Sequence, residues 1–166
     1  MALIFMGALS VFHAAGVRAQ SLGNLNSSHT LAVDSDGTVL AWGRNQNGQL
    51  GVPGIINSLY PRKVLKGVYN GTTYLGDDAN NKIVYAATGN TGGGTGFSYA
   101  IGGNGTVYSW GYNGSGQLGD GTLTQRNTPV RVLKGAYNGT TYLGDDANNK
   151  ITARCDRVNT PCPGSL

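Results

Sequence analysis

Val64-Leu65-Lys66-Gly67-Val68-Tyr69-Asn70-Gly71-Thr72-Thr73-Tyr74-Leu75-Gly76-Asp77-Asp78-Ala79-Asn80-Asn81-Lys82-Ile83 returns at Val132–Ile151 with one change, Val68 against Ala136. A copy of this length 68 positions away means that the chain is assembled from repeated units, so the repeat governs the reading of every smaller motif. Working outward, the match extends without a gap until Ser28–Ile83 pairs with Gly96–Ile151, and 31 of those 56 pairs are identical. After Ile151 it is lost: the first unit continues into Val84–Thr88, the second into Thr152-Ala153-Arg154-Cys155.

Each unit reads as short strands. His29–Val33 and Thr38–Trp42 flank Asp34-Ser35-Asp36-Gly37, and Ser98–Ile101 and Thr106–Trp110 flank Gly102-Gly103-Asn104-Gly105. Large apolar residues fall on alternate positions, as in a strand with one buried face, so Trp42 and Trp110 are core candidates. Gly43 and Gly111 follow, then a polar loop, then Gly48-Gln49-Leu50-Gly51 and Gly116-Gln117-Leu118-Gly119. Glycines at fixed offsets suit positive φ or close backbone approach, a structural role. A second hairpin per unit is predicted around Asn70-Gly71 and Asn138-Gly139, pairs that favour type I′ turns. Its residues Lys66, Tyr69, Thr72, Thr73 and Tyr74 are expected on a projecting, solvated ribbon. With 28 glycines in 166 residues and only 12% charged residues, the class is all-β.

Chemistry is sparse. All eight acidic residues are Asp, and the two histidines are His13 and His29, the latter at a strand position where the second unit carries Phe97. A Ser-His-Asp arrangement needs a histidine oriented by an acid, and none is indicated, so no catalytic residue, cofactor or metal site is expected. Asp77-Asp78 and Asp145-Asp146, with Asn80-Asn81 and Asn148-Asn149, carry oxygen ligands that would suit calcium, but the spacing matches no helix-loop-helix calcium loop; the competing reading is an Asx-rich turn. Gly89–Gly96 lacks the Gly-Lys-Ser/Thr of a phosphate loop and reads as a connection. The net charge of +4 is scattered, with no run of five like charges, which does not make a nucleic-acid footprint.

Thr-Val-(Leu or Tyr)-x-Trp-Gly, a variable loop, Gly-Gln-Leu-Gly, and Pro-x-x-Val at Pro61–Val64 and Pro129–Val132 together resemble the regulator-of-chromosome-condensation repeat, over about residues 28–151. The added Tyr-Asn-Gly-Thr-Thr-Tyr-Leu-Gly-Asp hairpin is similar to a variant in bacterial surface and secreted members. The resemblance implies a ring of seven four-stranded blades, each closed partly by a strand from the neighbouring repeat. Two units make only a partial β-propeller, and the expectation is a fragment of a larger ring or self-association through open blade edges.

Ala2–Ala15 is an apolar run followed by Val17-Arg18-Ala19, which reads as a signal peptide over residues 1–19 and is too short for a transmembrane helix. The expected organisation is then a first unit with its linker over 20–95, a second unit over 96–151 and a divergent tail over 152–166. In an exported chain Cys155 and Cys162 could pair as a disulfide; in a cytosolic one they read as two free thiols. The function expected is a non-catalytic scaffold, secreted or at the cell surface, that binds a protein through its loops at Arg44, Asn45, Gln46, Tyr112 and Asn113. The alternatives are a carbohydrate or cell-wall module stacking sugars on Tyr69, Tyr74, Tyr137 and Tyr142, with Tyr74 and Tyr142 decisive, or the accessory part of an enzyme whose catalytic domain lies elsewhere.

Overall fold

The structure is a computed structural model and describes residues 28–67, 74–135, 142–147 and 150–152. The segments read as a signal peptide, the hairpin tips with Tyr69 and Tyr137, and the cysteine-bearing tail with Cys155 and Cys162 lie outside them. The described chain holds seven strands: β1 (His29–Val33), β2 (Val39–Arg44), β3 (Asn57–Lys63), β4 (Ile83–Asn90), β5 (Gly96–Gly102), β6 (Val107–Gly111) and β7 (Arg126–Arg131). They form two antiparallel sheets, β1-β2-β3 and β4-β5-β6-β7.

The hairpin β1-β2 forms because its turn satisfies itself. Asp36 accepts hydrogen bonds from the Thr38 hydroxyl (2.6 Å) and the Thr38 N–H (2.8 Å), which together hold its carboxyl at a pKa of about 2. Asn104 repeats the backbone half of this in the second unit, accepting from Thr106 N–H at 2.9 Å. The registers coincide at the repeat period: Thr30 opposes Trp42 as Ser98 opposes Trp110, and Gly43 opposes Ser58 as Gly111 opposes Arg126. Both units shift register after the same β-strand position, Ala41 and Ser109, so Leu59, Tyr60 and Pro61 bow outwards from β3.

Residues 83–95, which the repeat period attaches to the first unit and its linker, are the first strand and turn of the second sheet: β4 pairs with β5 along its length, from Ile83↔Gly102 to Asn90↔Gly96. Their counterparts 68 positions earlier lie outside the described residues. One apolar cluster runs through both sheets, from Leu31, Val39 and Ala41 through Leu50, Val64 and Leu75 to Ala86, Ala100 and Trp110. Trp110 is fully buried, whereas Trp42, expected in the core by the same pattern, is only half-buried. The reason is positional: Trp110 is covered by the preceding unit, a neighbour that Trp42 does not have among the described residues.

The base of each second hairpin is marked by the antiparallel bridges Leu65↔Tyr74 and Leu133↔Tyr142. Lys66 does not lie on a solvated ribbon as its polarity suggests. It is buried, its ammonium 3.7 Å from Asp78, and Lys134 is buried 3.6 Å from Asp146. A buried ammonium needs a carboxylate partner, and the duplicated Asp-Asp segment supplies it. Asp78 also accepts from Asn80 N–H at 2.9 Å, an Asx turn.

Candidate interaction surface

The loop between β2 and β3 and its copy between β6 and β7 are organised by one asparagine each. Asn45 Nδ2 donates to the carbonyls of Val52 (2.9 Å) and Ile55 (2.8 Å), while its Oδ1 accepts from Leu50 N–H (2.8 Å). Asn113 repeats this with the carbonyls of Thr122 (2.9 Å) and Thr124 (3.1 Å) and with Leu118 N–H (2.9 Å). Both side chains are buried. They therefore brace the loops from inside, and Asn45 also reaches the wall of a groove at the join. The second loop is further tied by Asp120, which accepts from Arg126 Nε (2.6 Å) and the Thr122 hydroxyl (2.8 Å). Burial pushes its carboxyl up, but these hydrogen bonds and the Arg126 charge outweigh that and hold it below the usual range.

The two units meet on the Gly48–Gly51 turn. The carbonyl of Gln49, a fully buried residue, accepts both Trp110 Nε1 and Ser98 Oγ at 2.8 Å, using both of its lone pairs. Ser98 Oγ also lies 2.9 Å from His29 Nε2. Since the Ser98 hydrogen is given to Gln49, His29 Nε2 must donate, which fixes the neutral imidazole with its hydrogen on Nε2. Burial lowers the His29 pKa from 6.5 to about 4.

This buried histidine makes the join between units sensitive to acid. The unfolded chain binds a proton at His29 below about pH 6.5, the folded chain only below about 4. Its contribution is thus complete above 6.5 and is lost as the pH falls to 4, a change of about 3 kcal/mol. H29F, which installs the residue present at position 97, is expected to remove that slope. Urea midpoints at pH 7.5, 5.5 and 4 check it; an equally steep loss in H29F rules His29 out as its source.

The residues expected to bind divide among separate places. Arg44 and Gln46 are hydrogen-bonded to each other and line an open groove of about 440 Å³ with Gly43, Asn57, Ser58 and Leu59. Gln46 also lines a second groove, of about 420 Å³, whose other walls are Pro53, Ile55 and Ile56 from the first unit and Gln125 and Asn127 from the second. Tyr112 is half-buried, its ring against Gly114 in its own loop. Tyr74 and Tyr142 are elsewhere, at the hairpin bases, and one face of each ring carries a cation: Lys63 Nζ lies 5.5 Å from the Tyr74 centroid and Arg131 Cζ 5.2 Å from that of Tyr142. A sugar stacking on that face would have to displace the cation.

Sequence reasoning missed the most exposed apolar side chains: Leu59 (88%), Tyr60 (72%), Ile56 (70%) and Leu123 (68%). The available signal was that the units differ most over 52–60 and 120–128, where the shared motif is absent. Among the described residues no cluster of three or more His, Cys, Asp or Glu side chains could hold a metal ion, and no helix is long and apolar enough to cross a membrane.

The family model for the regulator of chromosome condensation (RCC1) repeat matches residues 36–92 and 104–139. The ultraviolet-B receptor UVR8 of Arabidopsis thaliana is 36% identical over 117 residues, covering 70% of this chain and 23% of that protein. A protein RCC2 homolog of Danio rerio is 31% identical over 163 residues, covering 82% and 30%. A chain in the crystal structure of Kap60 bound to yeast RCC1 (Prp20) aligns with a TM-score of 0.50 at 26% identity, covering 70% of this chain and 25% of that one. The chain spans about a quarter of the relatives it matches, and its two sheets are blades of a partial β-propeller.

Proposed function

Since the chain belongs to the regulator of chromosome condensation (RCC1) repeat family, we propose that it is a scaffold for protein interaction that holds an extended segment of a partner in the groove crossing the join between its blades. The observation that carries this reading is the composition of that groove. Pro53, Ile55 and Ile56 give it an apolar wall, and Gln46, Gln125 and Asn127 place amide groups along it, the combination that lets a peptide bury side chains while its backbone is hydrogen-bonded. Both blades contribute, so the groove exists only when they are docked. The yeast relative solved with Kap60 bound supports a protein as the partner class.

Peptides selected from a random library on the purified chain test it. Ile56 is 70% exposed, so I56E should leave folding intact while weakening the selected peptides at least about 10-fold, the effect of a charge on a central apolar contact. Q125A should weaken them about 3–10-fold, one hydrogen bond's worth, and S35A in the distant β1-β2 turn should have no effect. Equal binding by I56E would move the site elsewhere. Export is a separate proposal, resting on the Ala2–Ala15 run and Val17-Arg18-Ala19; N-terminal sequencing of the product from a secreting host supports it if the chain starts at Gln20 and overturns it if Met1 is retained.

A further inference from the structure

The join between the blades is made of unlike surfaces, and each recurs on the far side of the other blade without a counterpart among the described residues. On the receiving side, a Cβ added at Gly48 would lie 2.6 Å from Asn127 Cα, one at Gly51 3.1 Å from Trp110 Nε1, and one at Gly67 2.8 Å from the Pro129 carbonyl. The same positions in the second blade meet only their own unit among the described residues: Gly116 the Leu123 side chain, Gly119 Val132, and Gly135 nothing within 4 Å. On the inserting side, exposed Asn127 and half-buried Thr128 lie against Gly48 and Gly67 of the first unit, whereas their counterparts Leu59 and Tyr60, 88% and 72% exposed, meet no other unit's glycine among the described residues.

The 440 Å³ groove completes the correspondence. Its lining residues Gly43, Asn57 and Leu59 are the counterparts of Gly111, Gln125 and Asn127, which hold the Asn47–Gln49 turn: Asn47 Nδ2 donates to Gln125 Oε1 at 3.3 Å, and a Cβ at Gly111 would lie 3.3 Å from Gln49 Cα. The groove is the shape left where a turn of this kind belongs, and among the described residues one such turn remains undocked, Ser115-Gly116-Gln117-Leu118.

We propose that this groove receives the Ser115–Leu118 turn of a second copy of the chain, head to tail, with Leu59 and Tyr60 closing over Gly116 and Gly135 of that copy. Trp42 Nε1 then donates to the Gln117 carbonyl of the other copy as Trp110 donates to Gln49. That carbonyl already accepts from the Tyr99 hydroxyl, and its second lone pair remains for the indole. Such an interface is heterologous: its two halves differ, so it can be blocked from either side independently. It lies in a different groove from the proposed peptide site, the two sharing only Gln46.

Light scattering on the purified 166-residue chain across micromolar to millimolar concentration tests it. The wild type is expected to rise above its 17.2 kDa monomer mass. L59E/Y60E, which charges the inserting side, and S115R, which obstructs the turn, should each remain at 17.2 kDa, with unchanged urea midpoints showing that both are folded. Mixed one to one, they should form a dimer of about 34 kDa, twice 17.2, because S115R keeps an intact groove and L59E/Y60E an intact turn. A wild type that stays monomeric, association that survives L59E/Y60E, or a mixture that forms no dimer would each overturn the proposal.

Discussion

G76A should lose about 2–5 kcal/mol of unfolding free energy, a large share of what a domain of this size possesses. Two costs combine. Gly76 has φ +88°, where an alanine pays about 1–2 kcal/mol, and its Cβ would lie 1.9 Å from the carbonyl oxygen of Gly37. That oxygen belongs to the backbone of the β1-β2 turn and accepts from Ile83 N–H at 3.0 Å, so it cannot withdraw without opening the blade; overpacking of this kind costs about 1–3 kcal/mol. Gly54 separates the two terms. Its φ of +82° is nearly the same, but a Cβ there meets nothing within 4 Å. G54A should therefore pay the conformational cost alone, and urea titrations that gave the two variants equal losses would show that the Gly76–Gly37 contact is not tight. Gly144 faces the Gly105 carbonyl at the same 1.9 Å, so G144A should resemble G76A.

W110A is expected to cost about 3–5 kcal/mol, the usual price of emptying a large aromatic site. Trp110 is fully buried at the centre of the join, and its removal also takes one hydrogen bond from the Gln49 carbonyl, leaving Ser98 as the donor. W110F keeps most of the volume and should lose about 1–2 kcal/mol, chiefly for the hydrogen bond. Half-buried Trp42 occupies the same position in the first blade, and in dilute solution W42A should cost clearly less than W110A. Because these are the two tryptophans of the chain, iodide quenching of the single-tryptophan variants reports the difference directly: fluorescence of W42F, which retains Trp110, should be protected, and that of W110F accessible. Equal quenching would contradict the assigned burial.

The blade pattern was legible because it is written twice. Alternating apolar residues beside glycine-bearing turns located the hairpins β1-β2 and β5-β6, and the tryptophan and Gly-Gln-Leu-Gly motifs mark the two surfaces that meet in the join. What could not be read was which side each tryptophan faces, because that depends on whether another blade covers it. Polarity alone puts Lys66 outside; its burial, like that of Lys134 in the second unit, depends on the carboxylates of Asp78 and Asp146. Loop position alone does not separate Asn45 and Asn113 from their neighbours, but the units disagree at Arg44/Tyr112 and Gln46/Gly114 while agreeing at Asn45/Asn113. A residue kept identical between copies within a divergent loop holds the loop itself, as the buried amides of Asn45 and Asn113 do.

Strand β4 carries a consequence for how such a chain can be cut or extended. The duplicated stretch closes at Ile83, yet Ile83–Asn90 is already hydrogen-bonded into the following blade. The segment that was copied and the body that folds are therefore out of phase by about one strand. A cut at residue 95, where the next copy begins in sequence, would strip the second blade of its first strand and leave that strand dangling from the first. A cut within 76–82 would instead part the chain between sheets. Circular permutants or grafted repeats should respect the second boundary, and the offset itself works as a stitch: the first copy lends the second the thread that ties the two together.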